Sequence, residues 1–192
     1  MDVAIIGTGF IGRTLGNKLA TAGITVLFGT RHPGDGSTST PGTREVSIDE
    51  ALASTEVVLL AIPGAAVADF TADHGAALAG HLVIDATNQM GAPVANARAL
   101  LPSEVRYARA FNTLGGENFE DPIFADGRAD LFYSAPEADR ATLEELIDAV
   151  GLRPIYVGED AEELVDGLFR LWIALAMRQG RGRRLAFRLL ED

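Results

Sequence analysis

The chain has no cysteine, which excludes disulfides, thiolate metal sites and cysteine nucleophiles together. It has a single lysine, Lys18, against fifteen arginines, and no Tyr-x-x-x-Lys pair exists. Its three histidines, His32, His74 and His81, show no metal-ligand spacing with each other or with the carboxylates, so no metal site is expected. Long apolar runs are missing too. The longest candidate, 168–177, is cut by Arg170 and falls short of the ~20 residues that span a bilayer. Positive charge is in deficit, with a formal net charge of -11. A phosphate backbone would repel such a chain, which argues against nucleic acid as a partner. No basic stretch precedes the apolar run Val3-Ala4-Ile5-Ile6, so no secretory leader is expected, and the expected compartment is the cytoplasm.

What remains is an ordinary globular composition over 192 residues, 47% hydrophobic and 22% charged. Short apolar runs at 3–6, 24–28, 46–48, 57–61, 82–86, 105–110, 131–134 and 154–157 read as strands. Helical patterns lie between them at 10–22, 66–78 and 137–150, with a short helix capped by Asp49. Gly23 and Gly151 are the expected helix ends. Alternating strand and helix predicts an α/β fold, a doubly wound and mostly parallel sheet of the Rossmann type. The pattern changes after Gly158, where 159–177 reads as one long helix followed by an arginine-rich tail. The expected division is therefore 1–158 for the sheet domain and 159–192 for a helical extension.

Gly7-Thr8-Gly9-Phe10-Ile11-Gly12 fits G-x-G-x-x-G, and it sits where the motif has meaning, between the first strand and the first helix. Gly7 allows the tight turn, Gly9 lets a pyrophosphate approach the backbone, and Gly12 lets helix and strand pack closely. The unpaired N–H groups at the helix start would face the phosphates. An NAD site then calls for Asp or Glu at the end of the second strand, to hold the ribose 2′-hydroxyl. Here that place reads Gly29-Thr30-Arg31-His32, with no carboxylate. The Arg31 fork and the Thr30 hydroxyl suit a 2′-phosphate instead, so NADP(H) is the expected dinucleotide. His32 is a weaker candidate beside them. The loop 33–43 that follows could fold over the adenosine.

The ordinary proton donors for carbonyl reduction are hard to place. His74 and His81 flank helix–strand connections and are expected away from the carboxyl edge of the sheet, and Tyr107, Tyr133 and Tyr156 all lie inside strands. No catalytic acid or base is therefore assigned. Hydride exchange between two bound cofactors needs position and stacking more than an acid or a base. At the carboxyl ends of later strands, Ile62 and Pro63 could form an apolar wall for a nicotinamide ring. Asn88 and Asn112 could orient that ring or a second substrate, although Asn and Pro also favour plain turns.

These residues carry a resemblance. Ile6-Gly7-Thr8-Gly9, Gly29-Thr30-Arg31, the Ala61-Ile62-Pro63 turn, Ala110-Phe111-Asn112-Thr113, Gly151-Leu152-Arg153-Pro154 and the closing helix with its Gly-Arg-Gly tail are similar to the F420-dependent NADP oxidoreductases. Those enzymes exchange hydride between NADP(H) and the deazaflavin coenzyme F420. The resemblance implies 2′-phosphate contacts at Thr8, Thr30 and Arg31, with Ala61 and Ala110 in the cofactor site and Phe111, Asn112 and Thr113 toward the second substrate. It also implies a homodimer. The family has a further basic residue just past the arginine, whereas this chain has Pro33-Gly34-Asp35-Gly36 there, so His32 or Arg44 would have to substitute. The same module also looks like the NADPH domain of membrane ferric reductases. The alternatives are thus an NADPH-dependent flavin or ferric reductase, or an NADPH-binding sensor without chemistry.

Leu164, Leu168, Leu171, Trp172, Leu175 and Met177 make the last helix apolar over more than one face, as suits a subunit interface or packing on its own sheet. Arg178, Arg181, Arg183, Arg184 and Arg188 follow without a carboxylate among them. They read either as an anion site for the acidic tail of F420 or as cations at a helix end and a solvated tail.

Overall fold

The computed structural model describes residues 1–34, 40–89 and 96–191, and the chain forms two compact units, Met1–Ala108 and Arg109–Asp192. In the first unit β1 (Asp2–Ile6), α1 (Phe10–Thr21), β2 (Thr25–Thr30), β3 (Thr43–Ser47), α2 (Ile48–Ser54) and β4 (Val57–Leu60) come in order. They are followed by α3 (Val67–His74), β5 (Leu82–Asp85) and β6 (Arg106–Arg109). The six strands form one sheet in the order β3-β2-β1-β4-β5-β6, and the pairs from β3 through β5 are all parallel. Such strands must be covered on both faces, which is why their apolar residues run without a break. Ala4 and Ile6 point to one core with Leu27, Leu52, Val58, Leu60 and Phe70, all buried. Ile5 faces the other way, toward Phe28 and the close approach of α1.

The helix ends follow their local chemistry. Gly23, at a φ of +90°, takes the left-handed position after α1, and its N–H bonds to the Ala20 carbonyl. The cap of α2 corrects the sequence reading. Ser47, not Asp49, accepts the Glu50 N–H at 3.1 Å, and Asp49 lies inside the first turn. The helix expected over 66–78 is shorter than its pattern. It opens and closes as 3-10 turns, Gly64–Ala66 and Gly75–Leu78, the second beginning where Gly75 weakens helix propensity.

The second unit holds α4 (Glu117–Glu120), the antiparallel pair β7 (Ile123–Phe124) and β8 (Gly127–Arg128), then β9 (Asp130–Tyr133), α5 (Arg140–Val150), β10 (Arg153–Tyr156) and α6 (Glu162–Ile173). A π turn, Ala174–Arg178, continues α6, much as the long helix was expected to run. The strands read at 131–134 and 154–157 are present, but they pair with each other in a parallel sheet of their own. The two compact units part at 108/109. Gly151, at a φ of +96°, caps α5 as expected.

Charges in this unit are committed to internal partners. Arg109, fully buried, reaches Asp166 Oδ1 at 2.8 Å through both Nε and Nη2, and the Asn112 amide donates to the same oxygen at 3.3 Å. The arginine-rich tail folds back on the unit. Arg183 pairs with Glu117 at 2.6 Å and Arg184 with Asp121 at 2.6 Å. The Trp172 indole and the buried Asn118 amide donate to the Leu185 carbonyl, and Asp130 accepts from Leu189 N–H and Arg153. For Arg183 and Arg184, therefore, neither the free anion site nor the solvated tail describes what they do.

Candidate nucleotide-binding site

The site is built by the turn that joins β1 to α1. Gly7 sits at a φ of +115°, where side chains are strained, and a Cβ there would fall 2.5 Å from the Ala61 carbonyl oxygen. At Gly12 a Cβ would meet the Gly7 carbonyl oxygen at 1.9 Å, so the helix can lie this close to the turn only without one. Gly9 is different, since no atom lies within 4 Å of its missing Cβ. That open space borders the first turn of α1, which no side chain caps and which holds no acidic residue. A helix start in this state offers N–H donors and a positive field to an anion.

This turn borders a cavity of about 420 Å³ lined by Ile6, Gly7, Thr8, Gly9, Gly29, Thr30, Arg31, Ile48, Ala61, Ile62, Pro63, Ala66, Asp69, Phe70, Asp73 and His74. It opens at the carboxyl ends of β1, β2 and β4, the edge where open α/β sheets take ligands. Thr30 accepts the His32 N–H at 3.3 Å through its hydroxyl oxygen, which leaves the hydroxyl hydrogen available to a ligand. Arg31 is exposed at the rim. Among the described residues no carboxylate pairs with it.

Most of the residues anticipated for the dinucleotide converge here. Gly7, Thr8, Gly9, Thr30, Arg31, Ala61, Ile62 and Pro63 line the one cavity, and Phe10, Ile11 and Gly12 begin the helix beside it. Asn88 is not in the cavity wall. Its backbone packs against the Gly64 turn, 3.1 Å from the position of a Cβ there, and so beside Pro63. The loop carrying Asn88 is anchored by Asp85, whose carboxylate accepts from Thr87 N–H at 2.8 Å, Ala97 N–H at 2.7 Å and the Tyr107 hydroxyl at 2.7 Å. Ala110, Phe111, Asn112 and Thr113 belong to the second unit, where all four are buried. Phe111 adopts a φ of +59°, rare for a bulky side chain, with its ring 6.0 Å from that of Phe119.

Neither proposed substitute for the missing cation lines the cavity. Arg44 pairs with Glu50 at 3.2 Å, and His32 is not among the residues that line the wall. Of the loop 33–43, residues 35–39 lie outside the described residues. The basic residue that joins Arg31 in the cavity is His74, against the expectation that it lies away from this edge. Its ring contacts Phe70 at 5.5 Å between centroids, and its Nδ1 lies 2.8 Å from Asp49. Packing of the turn Gly75–Leu78, which follows α3, against α2 brings it there. Nothing in the helix pattern signals that approach, and Ile48, Asp69, Phe70 and Asp73 went unread for the same reason.

An open cradle of N–H donors, a hydroxyl and an exposed guanidinium fit a dinucleotide with a 2′-phosphate. Residues 2–89 match the sequence profile of the NADP oxidoreductases that depend on coenzyme F420. The resemblance read from the motifs therefore holds over that stretch. A protein of Arthrobacter sp. FB24, assigned by inference as an F420-dependent NADP reductase, has a solved structure similar to this one. The two are 25% identical, with a TM-score of 0.81 and all of both chains covered. A hypothetical protein of Sinorhizobium meliloti is 26% identical at a TM-score of 0.72, over 100% of this chain and 96% of that one. The NADP-bound pyrroline carboxylate reductase of Plasmodium falciparum, at 12% identity, a TM-score of 0.60 and coverage of 93% and 67%, shares the fold. The N-terminal stretch is thus an NADP-binding oxidoreductase domain with the Rossmann strand order. Among the described residues no helix is long and apolar enough to cross a membrane, and no group of three or more His, Asp or Glu could hold a metal.

Proposed function

We propose that this protein transfers hydride between NADPH and coenzyme F420. The observation that carries the reading is Arg31, exposed at the end of β2 on the rim of the glycine-turn cavity and without a carboxylate partner among the described residues. In this reading the turn Gly7–Gly12 holds the pyrophosphate through the N–H groups of α1, while Thr8, Thr30 and Arg31 hold the 2′-phosphate, with His32 beside them. Ile62 and Pro63, with Ala61, form the wall for the nicotinamide, and Asn88 and Ala110 complete the cofactor contacts. Phe111, Asn112 and Thr113 belong to the acceptor. NADPH supplies the hydride, and the protein binds, orients and excludes water. Ile62 and Pro63 bring no titratable group to the nicotinamide end, which suits direct transfer between two stacked rings.

A homodimer acting in the cytoplasm completes the proposal. Leu164, Leu171 and Met177 support the dimer, because they leave 66%, 47% and 50% of their surface exposed along α6 and the turn after it. Light scattering at the dimer mass is the expected result.

The test of function mixes the purified protein with NADPH and, in turn, coenzyme F420, FMN and a ferric chelate, following absorbance. Loss of the deazaflavin band with F420 alone is expected. Turnover of FMN or ferric iron instead would make it a flavin or ferric reductase. Tight NADPH binding with no turnover of any acceptor would make it a sensor.

A further inference from the structure

The buried face of α6 is Val165, Asp166, Phe169 and Trp172, so one carboxylate interrupts an apolar row. A carboxylate is seldom buried this far without a partner. Asp166 has Arg109, and an anchor for the helix would need no more. Yet the Oδ1 that takes Nε and Nη2 of Arg109 at 2.8 Å also takes the Asn112 amide at 3.3 Å. One oxygen thus holds residues 109 and 112, the two ends of a short turn. Arg109 is fixed a second time through its backbone. Its N–H donates to the Ser134 carbonyl at 2.8 Å, and its carbonyl accepts the Ser134 N–H at 3.1 Å. The Ser134 hydroxyl oxygen in turn accepts the Ala161 N–H at 3.0 Å, where α6 begins.

Between the two held residues the backbone is strained. Phe111 lies at a φ of +59° with its side chain buried, and Asn, the residue that tolerates this region, stands one place too late. Such a conformation persists only where the surroundings over-determine it, and it gathers at functional sites. The turn ends at Thr113, whose buried hydroxyl finds no hydrogen-bond partner among the described residues. Strain and an orphaned hydroxyl within three residues mark a preorganised site and not a plain connection. Resting on the reading that Phe111, Asn112 and Thr113 belong to the acceptor, we propose that Asp166 is the positioning residue of the acceptor turn. It acts through Arg109 and Asn112. By holding both on one oxygen it keeps Phe111 left-handed before the acceptor arrives, so the strain is met in folding and not at binding.

The experiment must separate positioning from anchoring. Removing Asp166 alone mixes the two, because it also takes from Arg109 the carboxylate it meets. The double variant Arg109→Met/Asp166→Leu replaces the pair by apolar groups, a change that buried pairs often tolerate without loss of stability. It removes the oxygen that holds Asn112. Asp166→Glu is the second variant, since it keeps a charge for Arg109 and moves the oxygen by one methylene. The near-UV signal of Trp172, which shares the buried face of α6, reports whether this unit is folded. In a variant with the native signal, the KM for coenzyme F420 should rise about tenfold, as expected when a strained residue must be re-formed at binding. The kcat at saturation and the calorimetric Kd for NADPH should stay within about twofold, since only acceptor binding is touched. An unchanged KM for F420, equal losses for F420 and NADPH, or loss of the Trp172 signal in both variants would make Asp166 an anchor alone and overturn the proposal. A wild type that reduces FMN but not F420 overturns the F420 reading, and the same KM comparison with FMN then decides the positioning role. A wild type that reduces no acceptor overturns both.

Discussion

Two arginines mark the contrast between the two units. Arg31 of the first unit is exposed on a cavity rim with no carboxylate partner among the described residues. Arg109 of the second is fully buried and holds Asp166 at 2.8 Å. The five tail arginines are the densest cluster of positive charge in the chain, yet Arg183 and Arg184 are taken up by Glu117, Asp121 and nearby carbonyls. Local arginine density therefore says little about anion binding. What counts is whether the fold has left the charge an internal partner.

The largest effect that can break this contrast is at Asp166. Removing it as Asp166→Ala takes from the buried Arg109 guanidinium the carboxylate it meets at 2.8 Å, a loss of about 3–5 kcal/mol for such pairs. Urea unfolding should show it, and a change smaller than about 0.5 kcal/mol, the range of ordinary surface substitutions, would mean that the pair is no anchor. At Arg31 the expected change is in binding and not in stability. Arg31→Ala should weaken NADPH by about 1.5–3 kcal/mol, the value of a charged hydrogen bond, and leave NADH almost unaffected. Calorimetry showing equal losses for both dinucleotides would take Arg31 out of the phosphate site. Smaller again is Ser47→Ala, which removes the cap that starts α2. It should cost about 1 kcal/mol of stability. Since α2 carries Ile48 to the cavity wall and Asp49 to His74, it should also weaken the dinucleotide slightly.

The first unit was far more legible in the sequence than the second, and the reason is physical. A parallel strand buried on both faces announces itself as an uninterrupted apolar run, and the glycine turn announces itself because backbone contacts such as Gly12 on Gly7 admit no side chain. An apolar run does not say which strand it pairs with. The runs at 131–134 and 154–157 were read correctly as strands, yet their separate sheet was invisible. The two-residue strands of the β7–β8 pair are too short for any alternation, although Asp126-Gly127 is a turn signal between them. Within the site, residues local to the motif were legible, and those on α3 were not. His74 and Asp49 are 25 residues apart, and Arg109 and Asp166 are 57 apart, so only the folded chain brings either pair together.

The smallest predicted effect tests the tail itself. The Arg183 guanidinium, hydrogen-bonded at 2.6 Å, holds the Glu117 carboxyl below its ordinary value of 4.5, with burial opposing that shift. The folded chain then takes up this proton less readily than the unfolded chain does. The stability from the pair is therefore complete above pH 4.5 and fades as the pH falls below it, toward the folded value. Both side chains are nearly half exposed, so solvent screens the pair and its contribution stays under about 1 kcal/mol. A local probe is needed to see so small a term, and the chain holds one. Trp172, its single tryptophan, donates its indole N–H to the Leu185 carbonyl at 2.8 Å, with Arg183 over its ring at 5.9 Å. Its fluorescence should change below pH 4.5, before global unfolding, and Glu117→Gln should flatten that change. An identical acid transition in Glu117→Gln would assign the tail's hold to Asn118, Trp172, Asp130 and the Arg184–Asp121 pair, and would leave the Arg183 pair as surface decoration.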